Sequence, residues 1–86
     1  MNMDLKHLVK NEKIDTQGAV LAQAFINAGY EVDQDRGSKS WNVDHNRDDI
    51  PPGITFWYDF EQRLWKGLAL EYSDRLGVKL PDFIEV

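Results

Sequence analysis

Apolar residues recur at two different periods along these 86 residues, and each change of period marks an expected element boundary. Leu5, Leu8 and Val9 fall on one side of a short first helix that Asp4 can cap. The stretch "NEKID", Asn11 to Asp15, reads as a turn. Asp15 or Thr16 then caps a second helix, "TQGAVLAQAFINA", in which Val20, Leu21, Ala24, Phe25 and Ala28 recur at three- and four-residue spacing. Gly29 stands where a left-handed C-terminal cap belongs.

Beyond Gly29 the period shortens to two. "YEVDQ" and "KSWNV" alternate apolar with polar residues, and "DRGS" between them is turn chemistry. The pattern predicts a β-hairpin over residues 30–34 and 39–44, with Tyr30, Val32, Trp41 and Val43 on one face. An isolated hairpin is marginal in water, so that face should pack on a helix. "HNRDDIPPG" reads as a loop, because Pro51 and Pro52 hold the residues before them extended. From Thr55 to Leu76 the pattern reads as one long helix stopped by Gly77. At about 100° per residue, Trp57, Phe60, Leu64, Leu68 and Tyr72 share a broad face, with Trp65 and Leu76 at its edge. The tail "VKLPDFIEV" is apolar enough at Val78, Leu80, Phe83 and Ile84 to pack along the body.

The expected fold is therefore α+β: one small globular domain over residues 1–86, in the order α-α-β-β-α, with a β-hairpin packed on a long C-terminal helix and an ordered apolar tail. With 42% hydrophobic and 12% aromatic residues, the chain has material for a modest core. It has no cysteine, which excludes disulfides and thiolate zinc sites and fits a reducing compartment. "MNMDLKHLVK" lacks a secretory apolar region and no run approaches the length of a membrane span, so the chain reads as soluble and cytoplasmic. A net charge of −5 disfavours direct nucleic-acid binding and suits a basic partner.

Candidate chemistry centres on "VDHNRDD". Asp44, His45, Asp48 and Asp49 are oxygen and nitrogen ligands close in sequence, and a hard cation uses such carboxylates. Neither a complete nuclease motif of the HNH type nor a calcium-loop pattern follows, and a solvated loop with turn hydrogen bonds explains the same residues. His7 stands apart beside Lys6 on the first helix. No nucleophile elbow and no phosphate loop appears. Asp59 with Arg63, and Glu71 with Arg75, are spaced for surface ion pairs on a helix. The residues thus point away from an enzyme, and they call for no metal and no cofactor.

Two features point instead to binding. Between Glu31 and Asp49 stand the acids Glu31, Asp33, Asp35, Asp44, Asp48 and Asp49, against Arg36, Lys39 and Arg47. On the hairpin, Glu31, Asp33 and Asp44 share the face opposite Tyr30 and Val32, and the loop adds Asp48 and Asp49. "FWYDF", Phe56 to Phe60, holds more aromatics than one helix face can bury, which leaves Phe56 and Leu70 projecting off the main face and Tyr58 at its edge. The tail, a partner or a second copy of the chain would cover them.

"DDIPPGI", Asp48 to Ile54, is similar to an acidic segment of the small immunity proteins that block nuclease bacteriocins. That resemblance spans seven residues and implies an all-helical nuclease inhibitor. The paired tyrosines that precede the segment in that family are replaced here by "WNV". "AVLAQAFINAGYEV" resembles the first helix and turn of a Cro-type helix-turn-helix, which would make "DQDRGSKSW" a recognition helix. Gly37 and the alternation of apolar residues oppose a helix there.

The expected function is a small acidic module that binds another protein, an inhibitor or regulator of a nucleic-acid-handling protein of the kind phages and mobile elements use to evade host defences. Its expected contacts are Asp33, Asp44, Asp48, Asp49, Phe56 and Tyr58. One alternative is a DNA-binding regulator of helix-turn-helix or winged type using Arg36, Lys39 and Arg47. Another is an assembly subunit dimerising through Phe56 and Leu70. The chain is expected to be a monomer or a homodimer.

Overall fold

A single helix, α1 (Asn2–Asn27), opens the chain where two were expected. The computed structural model describes the backbone of residues 2–84 and the side chains of residues 13–84. Asp4, Leu5, His7, Leu8 and Val9 therefore lie outside the described side chains. The helix runs straight through "NEKID". Asn11 and Asp15 carry turn chemistry, but each costs a helix only fractions of a kcal/mol, and Glu12 and Lys13 favour it. Leu21, Ala22 and Phe25 form its buried stripe. Gly29, at φ 101°, closes it as expected, and its N–H donates to the Ile26 carbonyl at 2.9 Å.

The expected hairpin is present as β1 (Glu31–Gln34) and β2 (Trp41–Asp44), with Val32 opposite Val43 and Gln34 opposite Trp41. Asp35 builds its turn: the carboxylate accepts the Gly37 N–H at 2.9 Å and the carbonyl accepts that of Lys39 at 2.7 Å.

The long C-terminal helix is absent. In its place stand β3 (Ile54–Asp59) and β4 (Leu64–Lys66), then two single-turn helices, α2 (Leu68–Glu71) and α3 (Ser73–Leu76). The strands form one antiparallel sheet in the order β1-β2-β3-β4. "ITFWYD" alternates as a strand should, with Ile54 and Phe56 buried and Trp57 exposed between Phe56 and Tyr58. The Asp59 carboxylate accepts the N–H groups of Glu61 and Gln62 at 2.9 and 3.0 Å, and Arg63 adopts φ 58°. These contacts turn the chain back where the helical reading carried it forward. Gly67, at φ 132°, leaves β4 against the backbone of Thr55 and Phe56, where a Cβ would collide with the Thr55 carbonyl.

The core lies between α1, the short helices and one face of the sheet. Its centre is Phe56, which is 0% exposed, stacked between Phe25 at 5.5 Å and Trp41 at 6.0 Å, with Trp65 edge-on at 6.0 Å. Gly18 lets α1 approach this stack, since a Cβ there would sit 2.9 Å from Trp41 Nε1 and 3.0 Å from Trp65 Cη2. Gly77, at φ 72°, ends α3 as expected. Beyond it Val78 is buried, and Leu80, Phe83 and Ile84 pack against the core. The Tyr30 hydroxyl donates to the Leu76 carbonyl at 2.7 Å, tying the first hairpin to the end of α3.

The sheet excludes the all-helical fold implied by the immunity-protein resemblance. Residues 35–40 form the first hairpin's turn and not a recognition helix.

Candidate functional site

The pairing register sorts the strand residues onto two faces. Val32, Trp41, Val43, Ile54, Phe56 and Trp65 face the helices. The opposite face carries Glu31 and Asp33 from β1, Asn42 and Asp44 from β2, Thr55 and Trp57 from β3, and Lys66 from β4. The acids and Asn42 are exposed, and Trp57 is 39% exposed.

Charge on this open face is unevenly distributed. Glu31 and Asp44 are direct cross-strand partners, and Asp33 lies on the same face of β1. Like charges directly opposite each other destabilise a hairpin. None of these three carboxylates, nor Asp48, enters a salt bridge among the described residues. On β3 and β4 the situation is reversed, because the Lys66 ammonium lies 3.5 Å from Asp59. The backbone N–H of Gln62, followed by that of Glu61 and by Lys66, holds the Asp59 carboxyl below its ordinary pKa. Negative charge is therefore concentrated on β1 and β2, on the face that also carries the exposed Trp57, whose own cross-strand partner is Lys66.

The loop "DHNRDD" is knitted together by its own side chains. Arg47 grips both carboxylate oxygens of Asp49 at 3.0 Å and donates to the Arg75 carbonyl at 2.6 Å, clipping the loop to α3. The Arg47 hydrogen bond holds the Asp49 carboxyl below its ordinary pKa, and Asp49 raises that of Arg47. His45 Nδ1 accepts the Arg47 backbone N–H at 3.0 Å, so Nε2 carries the proton and donates to the Pro51 carbonyl at 2.9 Å. The ligand-type atoms of His45 and Asp49 are thus taken up by the loop's own contacts. Among the described residues no group of three acids and histidines is placed to hold a metal ion.

Of the expected contact residues, Asp33, Asp44 and Asp48 are exposed, and Asp49 is exposed but engaged by Arg47. Tyr58 is half-buried on the helix side of the sheet. Phe56 is the centre of the core and presents nothing to a partner. Leu70, at 4% exposure, is buried as well, so neither residue presents a surface for the expected dimer contact. The expected apolar helix face does not exist as one surface: Trp57, Phe60, Leu64 and Leu68 are exposed, Tyr72 is half-buried, and Trp65 and Leu76 from its edge are buried. The β-rich composition of "ITFWY" was the signal that would have found Trp57 and Phe60. The expected ion pair of Asp59 with Arg63 is replaced by Asp59 with Lys66, and Arg75 lies over the Tyr72 ring at 5.7 Å.

Both hairpin turns fall at one end of the sheet, where α1 also passes. There Trp41, Trp57, Tyr58, Phe60 and Trp65 line a hollow of about 300 Å³, with Asp15 and Lys39 among its polar residues. Tyr58 meets Phe60 edge-on at 4.9 Å and 79°, and Trp65 at 5.4 Å and 67°, so the rings stand as walls at steep angles. Trp65 is fixed by donating its indole N–H to Gln17 at 3.0 Å.

No helix among the described residues is long and apolar enough to cross a membrane. Comparisons with protein-family models, curated proteins and solved structures found no match to this chain.

Proposed function

We propose that this chain acts by binding a basic protein through the open face of its sheet, as an inhibitor or regulator of a nucleic-acid-handling protein. The observation that carries this reading is the pairing of Glu31 with Asp44 on an uncovered face, with Asp33 beside them and Trp57 on the same face. In the free chain that pairing is a repulsion. Against a cationic surface it becomes an attraction that speeds the encounter, while Trp57 supplies an aromatic anchor. Proteins that handle nucleic acid carry the complementary surface, because they neutralise phosphates with Lys and Arg.

The test is affinity capture from lysate of the native host, with nucleic acid digested, at low and then moderate salt. A basic protein should be retained at low salt and released at moderate salt. The double variant Asp33→Lys/Asp44→Lys should lose it while keeping its fold. Capture unchanged by that variant refutes the reading. Asp49 is unsuitable for such a test, since reversing its charge would break the clip to Arg47 and α3.

A further inference from the structure

We infer that the aromatic hollow at the turn end of the sheet accepts one arginine side chain of the partner. This rests on the reading that the partner is a basic protein, and it assigns a pocket to one of that partner's side chains. At about 300 Å³ the hollow is at the small end of ligand pockets, a volume suited to a single large side chain rather than a cofactor. Its walls are ring faces and edges held by their own packing. Trp41 is stacked on Phe56, Trp65 is bonded to Gln17, and Tyr58 is wedged edge-on between Phe60 and Trp65.

Ring faces attract cations, and a planar guanidinium both stacks on them and carries charge. Asp15 supplies a carboxylate that forms no salt bridge among the described residues, on a chain whose net charge is −5. Trp57 belongs both to the hollow and to the open face, one row of cross-strand pairs from Asp33 and two from Glu31 and Asp44, so the acids draw cations to the face on which the hollow opens. Lys39 is the opposing charge. It stands in the turn at φ 61°, a conformation that Asn tolerates well, so its charge can be removed with the turn intact.

The experiment titrates the full chain with N-acetyl-arginine methylamide and follows the three tryptophan indole N–H signals by ¹H–¹⁵N NMR. The neutral citrulline analogue, nearly the same in shape, serves as comparison. Arginine should produce saturable shifts at Trp41 and Trp57, and citrulline should bind several-fold more weakly. Asp15→Asn should weaken the arginine probe by about two- to fivefold, and Lys39→Asn should strengthen it. No saturable shift, or equal binding of citrulline, overturns the inference. Weaker binding by Lys39→Asn does so too, because it would mark a pocket for an anionic group. The probe is independent of the partner, so the two readings fail separately. Probe binding with capture unaffected by Asp33→Lys/Asp44→Lys overturns the acidic-face reading alone. Salt-sensitive capture without probe binding overturns the arginine pocket alone.

Discussion

Glu31 stands directly opposite Asp44 across the first hairpin, and both carboxylates are exposed. Removing one charge should therefore stabilise the free protein. Asp44→Asn is expected to raise the unfolding free energy by about 0.2–1 kcal/mol, read from chemical denaturation, and to weaken partner capture in the same variant. A loss of stability would show that Asp44 serves the fold in some other way and would remove the argument from repulsion.

Phe56 and Trp57 are chain neighbours with opposite fates, at 0% and 39% exposure. Phe56→Ala removes the centre of the aromatic stack and should cost about 3–5 kcal/mol, enough to unfold a small domain or nearly so. Trp57→Ala should cost only about 1–2 kcal/mol and reduce capture at least as much as reversing one acid. Similar stabilities for the two variants would mean that the strand is turned over.

Gly18 is a helix-interior glycine whose replacement should destabilise. Alanine favours the helix by about 1 kcal/mol, but its Cβ would press on Trp41 and Trp65, which the core stack and Gln17 hold in place. Overpacking of this kind costs about 1–3 kcal/mol, so Gly18→Ala should lower Tm, with the Trp41 and Trp65 indole signals shifted. A higher Tm would show that the rings yield freely.

Asp49 and Asp59 give the protein a defined acid sensitivity. Both carboxyls are held below their ordinary value in the fold, Asp49 chiefly by Arg47 and Asp59 chiefly by the Gln62 N–H. A depressed folded pKa contributes stability that is full above the unfolded value and lost as pH falls through the folded one. Stability should therefore decline below the ordinary carboxylate value, and the hydrogen-exchange protection factors of residues 45–50 should fall there as the Arg47 clip opens. Asp59→Asn keeps an acceptor for the turn but cannot titrate, so its stability should fall less steeply over that range. An unchanged slope would contradict the assigned role of Asp59.

Much of the first half was legible in the sequence. The alternation of Val32, Trp41 and Val43 fixed the hairpin and its faces, and through them the exposed set Glu31, Asp33 and Asp44. The caps at Gly29 and Gly77 were legible because a left-handed residue leaves few choices. From Ile54 to Lys66 the local pattern points to a helix where strands form, for a physical reason. Trp57, Phe60, Leu64 and Leu68 happen to repeat at helical spacing, yet all are exposed. The alternation of Ile54, Phe56 and Tyr58 spans only five residues and is masked by the apolar Trp57 between them. Its stronger clues, the Asp59 turn and the Gly67 close approach, depend on tertiary geometry that no local pattern carries. The hollow was invisible for the same reason, since its lining comes from α1, all four strands and two turns.

The most direct measurement compares two double variants with the same charge change in one capture experiment. Asp33→Lys/Asp44→Lys alters the open face of the sheet, and Glu71→Lys/Asp74→Lys alters exposed acids on the short helices. The account predicts that the first variant loses the salt-sensitive basic partner while the second retains it. Equal loss from both would reduce the interaction to net charge alone, and equal retention would show that the acidic face is not where the partner binds.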